Sequence, residues 1–268
     1  MTTVLKLGGE LLEDAAAVGK AAAAIVRLAA HGRLVVVHGG GRAIDAELRR
    51  RGLTPRFADG LRITDGETLD AVVTVLAGRT NTQLVAAVNA AGAKAVGLTG
   101  ADAQLGLCAR AAPVRTQSGE IVELGLVGEP AACKTTLVEE LVQWGYVPVI
   151  ACIGVTDDGA LLNINADTFA AHLAAALSAN RLIVAGTTAG VLDESGRTIP
   201  ALTDSEIDAM TASGAAHSGM VAKLVACRHA AAQGVGEVAI VSGREAADYD
   251  TAPGTRVTAA VPTGSAGL

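Results

Sequence analysis

The chain has 268 residues, half of them hydrophobic, with 2% aromatics and a formal net charge of −6. That is enough for one large domain or two small ones with a real core, built from Ala, Val, Leu and Ile. An acidic balance without stacking aromatics gives no sign of a nucleic-acid partner, and no apolar stretch is expected to reach the ~20 residues of a membrane span.

Taken in chain order, residues 3–7 read as a short buried strand ending at Gly8-Gly9, and residues 13–30 as a helix closed by His31-Gly32. A strand at 34–39 runs into Gly39-Gly40-Gly41, and a helix follows that Gly52 closes. Repeated strand, glycine turn and helix predict an α/β domain with a mainly parallel sheet. Residues 67–92 form a long segment, apolar at helical spacing, and 93–98 a strand. Two short alternations flank Ser118-Gly119 as a hairpin. A helix at 135–145 leads to one strand over 146–155, and Asp158-Gly159 marks a second hairpin. The order continues with a helix (166–179), a strand (181–186), helices at 203–214 and 220–234, and a last clear strand at 237–243. Thr203 or Asp204 caps the first of those two helices. The tail after Ala259 is expected to fray. Cys108, Cys133, Cys152 and Cys227 show no C-x-x-C spacing and read as reduced, mostly buried thiols of a cytoplasmic protein.

A strand that ends in glycines before a helix offers backbone N–H groups and a helix N-terminus to an anion. The chain does this at Lys6–Gly9 and at His38–Gly41. Neither is a P-loop or a G-x-G-x-x-G turn. Arg62 reads either as an edge-strand arginine or as a fork for a carboxylate. Asn163, Asn165 and Asp167 stand where a hairpin meets a helix, with Asn165 as the best N-cap. Lys223 falls in the second turn of its helix, where a solvated face is the plain reading. His38 has no partner at metal spacing and reads as a hydrogen-bonded structural histidine. His172 and His229 lie inside helices as surface or satisfied residues. No metal site is expected.

Together, "KLGG", "HGGG", "GLRIT", "NINAD" and "GMVAK" resemble the motifs of the amino acid kinase family, in its order and approximate spacing, over about residues 3–258. "HGGG", "GLRIT" and "NINAD" together narrow the likeness to the family's acetylglutamate branch. The resemblance implies a three-layer αβα sandwich with a central, mainly parallel sheet. Its N-terminal lobe (about 1–150) would hold the acyl amino acid, and its C-terminal lobe (about 151–260) the nucleotide. It implies transfer of a phosphoryl group from ATP, with Mg2+ carried on the ATP, to the γ-carboxylate of N-acetylglutamate, a step of arginine biosynthesis. Lys6 and Lys223 would flank the transferring group, Asp167 would orient both lysines, and Gly9, Gly40 and Gly41 would donate backbone N–H bonds. Arg62 and Asn163 would hold the substrate's α-carboxylate. Thr187, Thr188, Gly190, Val191 and Leu192, with Ala215, Ala216 and His217, would line the nucleotide.

Two positions depart from the family pattern: Thr187 stands where relatives carry an acid, and Ser218 where the pattern reads D-G-M. Arginine-inhibited relatives carry an additional N-terminal helix, so the resemblance implies a homodimer without arginine feedback, joined through the long 67–92 helix. Two rivals remain open at this level. An acceptor one methylene longer, N-acetyl-2-aminoadipate, differs by only ~1–3 kcal/mol. A ligand-sensing member without catalysis would be the other.

Overall fold

The alternation in Leu34-Val35-Val36-Val37 decides the architecture. Leu34 and Val36 enter one apolar core, Val35 and Val37 another. A strand buried on both faces belongs to a sheet covered on both sides. The computed structural model, which describes residues 1–116, 118–213, 218–244 and 248–258, has that sheet. Its strands are β1 (Thr2–Leu7), β2 (Arg33–His38), β3 (Ala95–Thr99), β4 (Val147–Ala151), β5 (Arg181–Gly186), β6 (Ala201–Thr203), β7 (Glu237–Ser242) and β8 (Gly254–Thr258). Their spatial order is β6-β8-β7-β5-β1-β2-β4-β3. Every neighbouring pair is parallel except β7 with β8.

Helices cover both faces. On one side lies α1 (Ala15–Ala30), with Leu84 and Val88 of the long α3 (Gly66–Ala90). On the other are α2 (Gly41–Arg50), α4 (Thr136–Gln143), α5 (Ala166–Ala176), α6 (Asp204–Ser213) and α7 (Ser218–Ala232), together with Ala71, Val72, Val75 and Leu76 of α3. Side-chain caps start several of them. Asp14 accepts from Ala17 N at 2.8 Å, and Asp65 from Thr68 N at 2.9 Å. Glu206 reaches back to Thr203 N at 2.8 Å, the return half of a capping box.

Four differences from the sequence reading stand out. Residues 146–155 do not form one strand: the chain breaks at Cys152, and Ile153–Val155 joins Leu161–Ile164, Val127–Ala132 and Leu107–Arg110 in a small closed barrel. The apolar run hides the break because both halves are buried. Strands β6 and β8 are additional to those read from sequence; they are short and half-exposed, so their pattern is weak. Helix α3 contains a π-helical stretch, Thr74–Asn81. Finally, α3 is long and apolar enough to cross a membrane, with 25 residues and mean hydropathy 1.2, against the expectation of no such stretch. Its apolar residues are shared between the two protein cores. The hairpins at Ser118-Gly119 and Asp158-Gly159 are present, each with its glycine at positive φ. The expected tail falls outside the described residues.

The π-helical stretch brings Asn81 inward. Its Nδ2 donates to Val149 O at 2.8 Å and lies 3.1 Å from Nε2 of His38. His38 Nδ1 stands 3.2 Å from Gly39 O, so the neutral ring donates there and accepts from Asn81. The histidine is structural, as read, and ties the start of the triple-glycine turn to α3. Burial holds its imidazole down at about 4, below the ordinary 6.5. Between those values the unfolded chain binds a proton that the folded chain refuses. Stability is therefore full above pH 6.5 and falls as the pH drops toward 4, by up to roughly 3 kcal/mol. Urea denaturation across that range is expected to show the loss, and His38→Gln to remove most of it.

Candidate active site

Register brings the glycines together. Leu7 pairs with both His38 and Ala185, so β1, β2 and β5 end level. Gly8-Gly9, Gly39–Gly41 and Gly186 thus meet at the carboxyl edge of the sheet, where open α/β sheets bind ligands. Lys6 faces the same side as Val4, toward the start of α5. There its Nζ meets Asp167 Oδ1 at 2.7 Å, with the two side chains 8% and 12% exposed. Asn165 places that carboxylate: its Oδ1 caps α5, accepting from Asp167 N at 2.9 Å and Thr168 N at 3.1 Å. Burial alone pulls the Lys6 ammonium down, but the charge and hydrogen bond of Asp167 outweigh it, and the net shift is upward. Lys6 stays charged.

The two glycine turns touch backbone to backbone. A Cβ on Gly9 would stand 2.5 Å from Gly40 Cα and 2.8 Å from Gly40 N. Only glycine permits that approach. Among the described residues no backbone group accepts from the N–H of Gly9, Gly40 or Gly41. Gly40 and Gly41 open α2, so their dipoles share its positive end.

Arg62 is the far wall of the same cleft. Its Nη2 holds Asp45 Oδ1 at 2.7 Å and donates to Gly41 O at 3.2 Å, while its guanidinium lies 4.7 Å from the Phe57 ring centroid. Its Nη1 is buried and has no hydrogen-bond partner among the described residues. That is one arm of a fork left for an incoming acceptor. Asn163 Nδ2 donates to Thr64 Oγ1 at 3.1 Å, and Thr64 in turn to Arg62 O at 3.2 Å. The cleft, about 390 Å³, is lined by Lys6, Gly9, Gly39–Gly41, Arg62, Asn163 and Asp167.

Lys223 reaches the site from α7. Its Nζ would stand 3.0 Å from a Cβ on Gly186. Burial lowers its pKa, and the nearby Lys6 charge adds to that. Asp167 makes its direct ion pair with Lys6 and acts on Lys223 through space. Thr187 and Thr188 follow β5 directly, and Thr188 Oγ1 donates to Gly190 O at 3.0 Å. Val191 N donates to Thr255 Oγ1 at 2.8 Å, and Leu192 is exposed. These residues lie outside the cleft lining. Ala215, Ala216 and His217 lie outside the described residues. Sequence reasoning missed Asp45, Thr64 and Glu10, which only the folded chain brings to Arg62, Asn163 and the lysines.

A family model described as the amino acid kinase family matches residues 1–242. The chain belongs to the amino acid kinase family. It is 40% identical over 248 residues to an acetylglutamate kinase of Bradyrhizobium diazoefficiens, covering 91% of this chain and 84% of that one. Among solved structures it resembles smu.665 from Streptococcus mutans UA159, with TM-score 0.80 and 25% identity over 96% of this chain and 98% of the other. The fold is also that of Giardia lamblia carbamate kinase bound to AMP-PNP, with TM-score 0.65 and 17% identity over 96% and 98% of the chains. The expected α/β fold with helices on both faces of a mainly parallel sheet is borne out.

The Gly9–Gly40 approach makes a firm demand on this amino acid kinase. Gly9→Ala should leave the chain folded but force the turns apart; if the reacting group lies between them, a misplacement of about 1 Å costs on the order of a hundredfold in turnover. Circular dichroism with steady-state kinetics tests this; near-normal kcat would mean the turns do not cradle the reacting group.

Proposed function

We propose that the protein catalyses transfer of the γ-phosphoryl group of ATP to the γ-carboxylate of N-acetyl-L-glutamate, giving N-acetyl-L-glutamyl 5-phosphate, a step of arginine biosynthesis. The observation that carries the reading is the cleft itself. A charged lysine and two glycine turns stand at one end, and an arginine with a free buried arm at the other.

The attacking carboxylate is ionised at neutral pH and needs no general base. What must be overcome is repulsion between an anionic acceptor and a polyphosphate, so catalysis is positioning and electrostatics. Lys6, held charged by Asp167, and Lys223 flank the transferring group. Gly9, Gly40 and Gly41 line the same cleft and would donate their N–H groups to the transferring phosphoryl. Arg62 offers Nη1 to the α-carboxylate, and Asn163 steadies the same end. Residues 187–192 line the nucleotide, in a C-terminal lobe of about 151–260. The acyl amino acid occupies the N-terminal lobe of about 1–150. Magnesium arriving on the ATP would neutralise phosphate charge. All four cysteines are free, which suits a reducing, cytoplasmic setting.

Release of ADP from MgATP with N-acetylglutamate, with hydroxylamine trapping the acyl phosphate as a hydroxamate, tests the reading. Turnover is expected with N-acetylglutamate and not with N-acetyl-2-aminoadipate, aspartate, carbamate or UMP; silence with every acceptor, under ATP and GTP, would overturn it. Lys6→Ala and Lys223→Ala should each lose about a hundredfold or more in kcat, and Arg62→Ala should chiefly raise KM for the acyl amino acid. We also propose a homodimer joined through α3 and the neighbouring edge strand β3, whose outer backbone has no strand beside it in the sheet. Sedimentation giving a monomer at micromolar concentration would refute it.

A further inference from the structure

Glu10 follows the first glycine pair directly. Its carboxylate lies flat over the end of β1: a Cβ on Gly8 would stand 2.5 Å from Oε1 and 2.6 Å from Oε2. It also reaches the neighbouring strand end. A Cβ on Gly186 would meet Lys223 Nζ at 3.0 Å and Glu10 Oε1 at 3.6 Å. Glu10 lines the cleft with Lys6 and Gly9, and its charge favours the protonated form of both Lys6 and Lys223. A carboxylate therefore stands near two lysines, at the strand ends where the phosphates of the proposed reaction must pass.

A bare polyphosphate would meet that carboxylate as a like charge at close range. A nucleotide carrying a divalent cation would meet it as a ligand. Magnesium is commonly held by one or two carboxylates plus the phosphates of the substrate. One carboxylate beside two ammonium groups is a poor resting place for a free ion and a suitable one for an ion that arrives on phosphate. We propose that Glu10 is a specificity-determining residue for the metal state of the nucleotide. Its carboxylate turns toward the divalent cation on the incoming phosphates, so that the cleft takes MgATP and disfavours metal-free ATP. The inference rests on the kinase reading above and adds a residue to it.

Calorimetry of the wild type and Glu10→Gln, each with ATP in excess MgCl2 and with ATP in EDTA, tests it without turnover. The expected pattern is of opposite signs: the variant binds MgATP about tenfold more weakly and metal-free ATP about tenfold more tightly. Tighter binding of both forms would make Glu10 a mere electrostatic plug on the lysines, and unchanged binding of both would make it a bystander. Either result overturns the proposal. Hydroxamate formation by the wild type reports on the kinase reading separately. If the wild type turns over N-acetylglutamate while Glu10→Gln shows no opposite-signed change, only this inference falls. If the wild type binds ATP in neither form, both fall.

Discussion

An ammonium group at the end of a buried strand must have a partner, and that requirement organises this molecule. Lys6 stands between apolar neighbours on β1, with its side chain on the core side of the sheet. Burying such a charge alone costs several kcal/mol, and removing one member of a buried pair costs about as much. Asp167 is held within 2.7 Å of it by a helix that begins one residue earlier, under the cap of Asn165. The pair thus fixes the start of α5 against the end of β1. It also explains why the two lysines differ. Lys6 has a carboxylate in contact and is pushed toward charge, whereas Lys223 is half-buried beside a like charge and is pulled the other way.

The glycine turns follow from the same level strand ends. Once Leu7 is in register with His38, Gly9 and Gly40 come into contact: a Cβ on Gly9 would strike Gly40, and one on Gly40 would stand 2.6 Å from Leu76 Cδ2. His38 then has to leave the turn by pointing inward, where Asn81 receives it. The π-helical stretch of α3 is what lets a polar residue face inward at that point in an otherwise apolar helix. Touching glycine turns, a buried neutral histidine and an irregular helix are three consequences of one register.

Much of this was legible in the sequence, and the reasons are physical. Strands buried on both faces are continuous apolar runs, and glycines between strand and helix mark turns, so the order of most elements could be read in advance, while a shared place for the two turns was implied only by the family resemblance. Asn165 could be read as a cap because its chemistry is local. Glu10, Asp45 and Thr64 could not. Each acts on a residue distant in sequence or through the folded backbone, as when Asp45 grips Arg62 across the end of α2, and a lone acid in a helix has no periodic signature. The break at Cys152 was hidden for the opposite reason: two buried strands from different sheets read as one when a single buried residue separates them.

The departure at Thr187 takes on a different meaning beside Glu10. The resemblance calls for an acid just after β5, and the chain supplies a neutral hydroxyl there. Yet the next residue back, Gly186, has Glu10 Oε1 within 3.6 Å of where its Cβ would be. A carboxylate therefore does stand at this strand end, delivered from the turn after β1 rather than from the turn after β5. Because the two strands are parallel neighbours that end level, a side chain from the turn after one can serve a position after the other. The charge balance around the lysines depends on where carboxylates lie in space, and the sheet register allows that place to be filled from either strand. Loss of an acid at one sequence position is, in such a sheet, no measure of loss of charge at the site.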